Sequence, residues 1–274
     1  MIARPFFIVS SGRSGTAMLH KALSAVAGVE MHHEYMVQIT QPLAVRRYLG
    51  LVGSQDAARL IGETYGGALR YSGATHWGDS SNKLSWLIPD LAAAFPKARF
   101  VHLVRDGRKV ASSYFHKLGD ECYDDASTRI LQAHYDDGLP APPPEKKFWW
   151  PLPRRGSIDA SRFRSFSQFE RICWHWAELN RLVLEELSRL PAERTLFVRL
   201  EELRSSPSEV RGLYQFLDLP YRDEAYGVFA KPHNVNRPED RLLDGAQRVQ
   251  FETIAGDMQA RLGYADRPEY LVNY

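Results

Sequence analysis

Three short apolar runs constrain the fold of this chain more than any other feature. They are Phe6–Ser10 (FFIVS), Arg99–Val104 (RFVHLV) and Thr195–Leu200 (TLFVRL), and a polar break follows each of them. Runs that are apolar at nearly every position are typical of strands buried on both faces of a parallel sheet. Helical periodicity marks four other segments: Thr16–Ala27, Leu84–Phe95, Gly107–Leu118 and Gln168–Leu190. Strands that alternate with helices predict a three-layer α/β fold, a P-loop-like parallel sheet flanked by helices, and we expect residues 1–274 to form one domain.

The stretch from Gly119 to Ser165 interrupts this alternation. It contains a DDG turn, a proline-rich run and the sequence WWPLPRRG. Long irregular segments in compact domains are usually lids, binding loops or disordered inserts. Phe148, Trp149 and Trp150 argue against a disordered linker, because such linkers are poor in aromatic residues. We therefore predict an irregular, partly ordered insert at about 119–165 that covers the functional site, with an insert packed for structure alone as the alternative.

Charge and cysteine content exclude several classes of protein. Lys and Arg number 35 and Asp and Glu 33, which gives a net charge of +2 and no general attraction to nucleic acid or an anionic membrane. Cys122 and Cys173 form neither a disulfide framework nor a zinc-binding spacing, and no metal cluster is evident. The apolar run near the first residue is too short for a signal-peptide core, and no stretch approaches a membrane span, which predicts a cytoplasmic protein.

The residues after the first run form a candidate anion site. The sequence SGRSGT, residues 11–16, separates a predicted strand from a predicted helix, so backbone N–H groups and a helix N-terminus point at one place. Gly12 and Gly15 permit close backbone approach, and Arg13 adds a positive charge. The ATPase P-loop has a longer glycine spacing and a lysine where this chain has arginine. The motif therefore predicts binding of a phosphate-like group, and a tight turn without a ligand is the alternative.

A second candidate anion site follows the run that ends at Val104. Arg105 comes directly after this run, and open parallel sheets bind ligands at the carboxyl ends of their strands. Asp106 is placed to cap the next helix, and Ser113 follows about two helical turns further along. An arginine and a hydroxyl in this arrangement can hold a second phosphate.

Together, SGRSGT and FPKARFVHLVRDGRKVASS resemble the sulfotransferase superfamily. In that family the first loop binds the 5′-phosphosulfate of 3′-phosphoadenosine 5′-phosphosulfate (PAPS), and the second motif binds its 3′-phosphate. The resemblance implies an enzyme that transfers a sulfuryl group from PAPS to an acceptor hydroxyl. It assigns Arg105 and Ser113 to the 3′-phosphate. It assigns five residues to the 5′ end: Arg13, Ser14, Gly15, Thr16 and Ala17.

The resemblance continues later in the chain and indicates a subfamily. Leu200 stands in VRLEELRSSPSEVRGLYQFLDLP where related proteins often have a tyrosine. Lys231 begins the segment KPHN, which resembles a late cofactor-side segment, so Lys231 is a candidate for donor binding. The RSGT and RDGR motifs are similar to those of tyrosylprotein and carbohydrate sulfotransferases, whereas the cytosolic small-molecule type usually has lysine in place of Arg13.

Sulfuryl transfer requires a base for the acceptor hydroxyl and positive charge beside the leaving phosphate. Glu34, in the sequence MHHEY, matches the position of a glutamate in tyrosylprotein-type sulfotransferases, so we predict that it is the base, with His32 and His33 as alternatives. Arg13 and Lys83 are predicted to stabilise the leaving group, because an Asn-Lys pair before a helix resembles the same family. A surface carboxylate and a surface lysine are the ordinary alternatives.

Other functions fit parts of the pattern. A P-loop kinase of nucleotides or metabolites shares the strand–loop–helix arrangement, and a non-catalytic nucleotide-binding protein would share the fold. For the acceptor we favour a carbohydrate or another small hydroxylated metabolite over a peptidyl tyrosine. Phe148, Trp149 and Trp150 could stack on such a molecule and Arg154 and Arg155 could meet an acidic one, or all of them could pack inside the insert. Nucleic acid is not an expected partner, because no basic stripe alternates with aromatic residues.

Overall fold

A computed structural model describes residues 2–230 and 242–269 of the chain. The strands in these residues are β1 (Arg4–Val9), β2 (Val29–His33), β3 (His76–Ser80), β4 (Arg99–Val104) and β5 (Thr195–Arg199). They form one parallel sheet in the order β2-β3-β1-β4-β5. Helices cover both faces, so the predicted three-layer α/β architecture is confirmed.

The helices of the described residues lie between and after the strands. They are α1 (Thr16–Ser24), α2 (Val37–Tyr48), α3 (Ser54–Tyr71), α4 (Ile88–Ala94), α5 (Gly107–Lys117), α6 (Asp125–Asp137), α7 (Ala160–Phe163), α8 (Gln168–Ser188), α9 (Leu200–Ser205), α10 (Pro207–Phe216), α11 (Tyr226–Ala230) and α12 (Gly245–Arg261). The predicted helix at 84–95 is divided. A 3₁₀ turn spans Leu84–Trp86 and α4 follows it, because Pro89 has no N–H to continue a helix and suits a first turn instead.

The two faces of the sheet carry separate apolar clusters, and β1 contributes to both. Phe7 and Val9 pack into the larger cluster with residues from α2, α3, α5 and α8. Phe6 and Ile8 pack into the smaller cluster with residues from α1 and α10. Because successive side chains of a strand point to opposite faces, this division confirms that β1 is buried on both sides. The apolar run that predicted β1 follows from that position.

Strands β2 and β3 were not predicted, because neither is an apolar run. Their sequences are VEMHH and HWGDS, yet every residue of β3 is buried. The polar side chains of β3 are buried with partners: Asp79 accepts a hydrogen bond from the Tyr65 hydroxyl at 3.1 Å, and the Ser80 hydroxyl donates to the His32 carbonyl at 3.3 Å. Buried polar groups with hydrogen-bond partners hide a strand from a search for apolar runs.

The segment 119–165 is less irregular than predicted. It contains α6, a regular helix whose first turn is capped by Asp124 through a 2.8 Å hydrogen bond from the Ser127 backbone N–H. A 3₁₀ turn at Lys146–Phe148 and the short helix α7 follow. Apolar spacing on one face of α6 was obscured in the sequence by the acidic and proline-rich residues around it.

The two tryptophans of this insert are buried, and two of its arginines lie over aromatic rings while staying exposed. Trp149 and Trp150 are buried, and each indole N–H donates to a backbone carbonyl at 2.6 Å. The Arg154 guanidinium lies 4.4 Å from the Tyr48 ring centroid and that of Arg155 lies 4.4 Å from the Tyr135 ring centroid. The packed alternative is therefore the one observed for both tryptophans, whereas both arginines remain exposed.

The two cysteines and the helices of the described residues can be compared with the expectations from the sequence. Cys122 and Cys173 are free, buried thiols whose pKa values are raised by burial. Within residues 2–230 and 242–269, no helix combines the length and the apolar character needed to cross a bilayer.

Candidate active site

The loop between β1 and α1 has an unusual backbone. Gly12, Arg13 and Gly15 have positive φ angles of 79°, 53° and 97°. Such angles suit glycine and are uncommon for arginine, and they gather successive backbone N–H groups into a concavity that attracts anions. Thr16 and Ala17 open α1, where the first N–H groups have no acceptor within the helix. The loop and the helix start therefore form one cluster of hydrogen-bond donors.

Close packing explains why both glycines of this loop lack side chains. A Cβ atom on Gly12 would lie 1.9 Å from the Tyr114 hydroxyl oxygen, which donates a 2.8 Å hydrogen bond to the Ser11 carbonyl. A Cβ atom on Gly15 would lie 2.6 Å from Cδ1 of Leu200. Leu200 therefore packs directly on the loop.

The two predicted anion motifs meet in space. The Arg13 Nε–H donates to the Ser113 hydroxyl at 2.9 Å, and Arg105 Nη1 donates to the Arg13 carbonyl at 3.0 Å. Asp106 caps α5 as predicted, because its carboxylate accepts from the Arg108 N–H at 3.0 Å. The carboxyl ends of β1 and β4 are adjacent in a parallel sheet, which brings together residues about 100 positions apart.

The backbone at Glu34 is held in a defined position after β2. Glu34 has a positive φ of 59°, and its N–H donates to the Ser80 carbonyl at 3.1 Å. The next N–H, that of Tyr35, donates to Asp79 Oδ1 at 3.2 Å. Asp79 also accepts from Tyr65, and burial raises the pKa of Asp79 to about 6. These bonds direct the Glu34 side chain away from the sheet edge towards Lys83.

Two lysines contact the Glu34 carboxylate. Lys83 Nζ donates to Oε1 at 3.1 Å, and Lys146 Nζ donates to Oε2. Burial alone raises the pKa of Glu34, but the two ammonium groups outweigh burial and lower its pKa to about 2. Lys83 is buried, which lowers its own pKa, while Glu34 acts in the opposite direction. Glu34 is therefore ionised and fully paired in this conformation.

The Asn82-Lys83 pair connects this ion pair to the β1–α1 loop. Asn82 Nδ2 donates to the Tyr114 hydroxyl at 3.3 Å, and that hydroxyl bonds the Ser11 carbonyl. Lys83 Nζ lies 5.4 Å from the Trp150 ring centroid. Glu34 and Lys83 are thus positioned beside the loop through a short, buried chain of contacts.

The two histidines next to Glu34 bond elsewhere. His32 Nε2 lies 2.8 Å from Glu30 Oε1, and its ring packs 4.8 Å from that of Trp77. His33 Nδ1 lies 2.9 Å from the Ser80 carbonyl oxygen, and burial lowers the pKa of His33. Neither histidine shares the lysine partners of Glu34.

The predicted site residues lie in two connected groups, one around Arg13 and one around Glu34. The structure adds Lys146 to the second group and does not describe Lys231. Lys146 was not predicted, because it lies 112 residues from Glu34 in an insert with no recognisable motif. Its only sequence signal is that it lies beside the aromatic residues of the insert. Lys231 lies outside the described residues. Within residues 2–230 and 242–269, no group of three or more His, Cys, Asp or Glu side chains is arranged to hold a metal ion.

The family model described as "Sulfotransferase family" matches residues 5–142, half of the chain. The chain belongs to the sulfotransferase family. The match includes both anion motifs, Glu34 and Lys83, and it ends within the insert just before Lys146. No curated protein matches the sequence.

Solved sulfotransferases share the fold of this one at low sequence identity. The enzyme from Alicyclobacillus acidocaldarius has a TM-score of 0.54 and 17% identity, over 95% of both chains. The sulfotransferase domain of the olefin synthase of Synechococcus PCC 7002 has a TM-score of 0.53 and 15% identity, over 94% of this chain and 95% of that one. Sulfotransferase STF9 from Mycobacterium avium has a TM-score of 0.52 and 14% identity, over 95% of this chain and 77% of that one. At these identities the likeness establishes the fold.

Proposed function

We propose that this sulfotransferase moves a sulfuryl group from PAPS to an acceptor hydroxyl, without a metal ion. One observation carries the proposal: Ser113 and Arg105, both hydrogen-bonded to Arg13, lie at the start of α1, next to a partly buried Glu34–Lys83 ion pair. The first group has the chemistry of an anion-binding site. The second has a carboxylate and an ammonium that can act on a reacting hydroxyl and its leaving group.

The residues assigned to the donor fit a molecule with phosphates at two ends. The backbone N–H groups of residues 14–17 and the Arg13 guanidinium would hold the 5′ end, while Arg105 and Ser113 would hold the 3′-phosphate. Arg13 forms no ion pair with a carboxylate among the described residues, so its charge is available to an anion. PAPS supplies the activated sulfuryl group and a phosphate leaving group.

Glu34 supplies the base in this proposal, and its two oxygens have different neighbours. Oε1 bonds the buried Lys83, whereas Oε2 bonds Lys146, whose side chain is 44% exposed. An acceptor hydroxyl can reach Oε2 by replacing the Lys146 ammonium, which water then solvates. The acceptor oxygen forms the new O–S bond, the S–O bond to the phosphate breaks, and the acceptor proton passes to Oε2.

Lys83 and Arg13 stabilise the charge that develops on the leaving phosphate oxygen. Lys83 is buried, so its ammonium acts in a site of low dielectric, where an interaction with an anion is stronger than in water. Its bond to Glu34 also couples the two ends of the reaction. When Glu34 gains a proton, its negative charge is lost, and the Lys83 ammonium then pairs with the negative charge on the leaving phosphate. Charge balance is thereby kept during the transfer.

The acceptor in this proposal is a carbohydrate or another small hydroxylated metabolite, with peptidyl tyrosine as the alternative. The acceptor side lies between the start of α2 and the insert, because Glu34 precedes α2 and Lys146 belongs to the insert. Met36 and Ile39 are exposed apolar side chains at the start of α2 and could contact the acceptor body. A panel of sugars, small alcohols, phenols and a tyrosine peptide, assayed with PAPS by mass spectrometry, discriminates between these classes.

The donor is tested by thermal-shift titration with 3′,5′-adenosine bisphosphate beside ATP with Mg²⁺. At about 100 times its dissociation constant, a ligand of the folded state stabilises it by about 2.7 kcal/mol. We expect the bisphosphate, but not ATP with Mg²⁺, to raise the melting temperature. A shift with ATP alone would favour a kinase, and no shift with either ligand would contradict the proposed donor.

Arg105→Ala identifies the phosphate that binds at β4. Loss of a hydrogen bond to a charged group costs about 1.5–3 kcal/mol, so the bisphosphate should bind about 10- to 100-fold more weakly. The matched control is Arg129→Ala, which removes an exposed arginine of α6 without a partner among the described residues. Equal affinity in the two variants would refute the assignment of Arg105 to the 3′-phosphate.

A further inference from the structure

A groove lies at the amino ends of the strands, at the opposite end of the sheet from the β1–α1 loop. It has a volume of about 810 Å³ and is lined at the amino ends of β1, β3 and β4 and at the end of α3. Three apolar lining residues keep exposed surface, and together they are called the apolar floor: Ile2, Pro5 and Phe95. Small-molecule sites of proteins are typically apolar concavities of 300–1,000 Å³ with a few polar groups, so this groove has the size and the floor of a ligand site.

The rim of the groove is strongly basic. Four basic residues line it: Arg4, Arg70, Lys97 and Arg99. Asp218 is the only acidic residue among the described lining residues. Asp218 pairs with Arg99 at 2.8 Å and with Arg4 at 3.5 Å. Arg70 and Lys97 have no hydrogen bond or ion pair with any described residue. The chain as a whole carries a net charge of only +2, so this excess of positive charge is local and favours an anionic ligand.

His76 adds a polar group without a partner to the lining. It is 9% exposed, and its Nε2 atom has no hydrogen-bond partner in the described part of the chain. Its other ring nitrogen lies 3.1 Å from the Thr75 hydroxyl oxygen. His76 pairs with Arg4 across β1 and β3, so it lies at the basic end of the groove. Unpartnered buried polar groups are rare in folded proteins and commonly mark the place of a ligand or an ordered water.

The wall formed by α3 contains a glycine that packing does not require. Gly66 lines the groove, and a Cβ atom there would meet no heavy atom within 4 Å. Glycine inside a helix costs about 1 kcal/mol relative to alanine. Gly66 offsets this cost by leaving the groove wider than any larger residue would.

We propose that this groove binds a small amphipathic anion, with an apolar body on the Ile2–Pro5–Phe95 floor and a carboxylate, sulfate or phosphate head on the basic rim. The site is separate from the proposed donor site, since the amino and carboxyl ends of a parallel strand lie at opposite edges of the sheet. An apolar body alone would leave Arg70 and Lys97 without a partner among the described residues, and an inorganic anion alone would leave the floor unfilled. Both parts of the ligand are therefore needed for affinity.

The test uses decanoate as the probe, with decanamide as its neutral counterpart and acetate as a head group alone. Isothermal titration calorimetry is done on the full chain saturated with 3′,5′-adenosine bisphosphate. Decanoate should bind with one-to-one stoichiometry and at least tenfold more tightly than either comparison compound. Equal binding of decanoate and decanamide, or competition of decanoate with the bisphosphate, would overturn the proposal.

Two pairs of matched variants assign the binding to the groove. Gly66→Leu fills the groove, whereas Gly67→Leu places the same side chain on the exposed side of α3, where a Cβ also meets nothing within 4 Å. Both substitutions favour the helix, so neither should unfold it. The second test is a double variant, Arg70→Glu with Lys97→Glu, which reverses two charges of the rim. Its control, Lys21→Glu with Arg129→Glu, makes the same charge change at exposed positions outside the groove.

Gly66→Leu and the Arg70/Lys97 double variant should each weaken decanoate binding at least tenfold, while both controls retain it. All four proteins should bind the bisphosphate as the unsubstituted chain does. Retained decanoate affinity in Gly66→Leu would refute the groove as the site, whatever the outcome of the donor titrations.

Discussion

At the scale of single residues, Glu34 is defined by the groups that face it from several elements. Lys83 follows β3, Lys146 belongs to the insert, His33 precedes Glu34 on β2, and Tyr114 comes from α5. The pKa of about 2 lies below the ordinary glutamate value of 4.5, so ionised Glu34 stabilises the fold above about pH 4.5. That contribution is lost as the pH falls through about 2. Removing either lysine should therefore raise the pKa of the proposed base.

Lys146→Met should raise the pKa of Glu34 by about 1 unit or more, because an opposite charge next to a carboxyl typically lowers its pKa by 1–3 units. The measurement is a ¹³C NMR titration of the Glu34 carboxyl. In the pH–activity profile, the acid limb of kcat/KM should move to higher pH in the same variant. Lys147→Met is the control, since Lys147 stacks on Phe148 and does not contact Glu34. An unchanged Glu34 titration would exclude Lys146 as its partner in solution.

Glu34→Gln should lower turnover by about 10²-fold or more, because general base catalysis typically contributes 10²–10⁴-fold. Affinity for 3′,5′-adenosine bisphosphate should stay unchanged, since Glu34 lies on the acceptor side. Single-turnover kinetics with PAPS measure the first quantity and a thermal-shift titration the second. Glu63→Gln, at an exposed position of α3, is the matched control. Full activity in Glu34→Gln would remove Glu34 from the mechanism.

Among elements, the insert is joined to the rest of the molecule by a buried glutamine. Gln41 of α2 donates from Nε2 to the carbonyls of Lys146 and Trp149, at 3.0 and 2.8 Å. Gln41→Met should leave these carbonyls without their donor, at a cost of about 1–3 kcal/mol for a buried unsatisfied group. We expect a lower melting temperature and faster amide hydrogen exchange at residues 143–151. Gln38→Met, on the exposed side of the same helix, should change neither, and unaltered exchange in Gln41→Met would contradict this role.

Among the strands, the sequence predicted those that are apolar runs and missed those that are rich in polar residues. β1, β4 and β5 are apolar runs, and α1, α5 and α8 have a clear helical spacing. The expectation of burial on both faces is wrong for β5, an edge strand in which only Val198 is buried. β3 is buried through hydrogen bonds of Asp79 and Ser80, and β2 is an edge strand in which only Met31 is buried, so neither leaves an apolar run in the sequence. Motifs that are local, such as SGRSGT, were recognised, whereas the Lys146–Glu34 contact depends on how the insert folds back.

For the whole molecule, we propose that residues 1–274 unfold as one unit. The two apolar clusters share the central sheet, since β1 supplies side chains to both. Differential scanning calorimetry should show one transition with equal calorimetric and van't Hoff enthalpies. Saturating bisphosphate should move the entire transition upward. Two resolved transitions, of which the ligand moves only one, would show that the chain contains two domains.

The order of the strands also has a consequence for divergence within the family. Glu34 and Lys83 follow β2 and β3 on one side of β1, whereas Arg105 follows β4 on the other, with Arg13 directly after β1 between them. Under the proposed function, one half of the sheet handles the acceptor and the other half handles the donor. Substitutions in the β2–α2 link and the insert can then accumulate and redirect the enzyme to new acceptors while the donor half is maintained by selection. New specificities can arise in this architecture without a loss of the shared sulfuryl source.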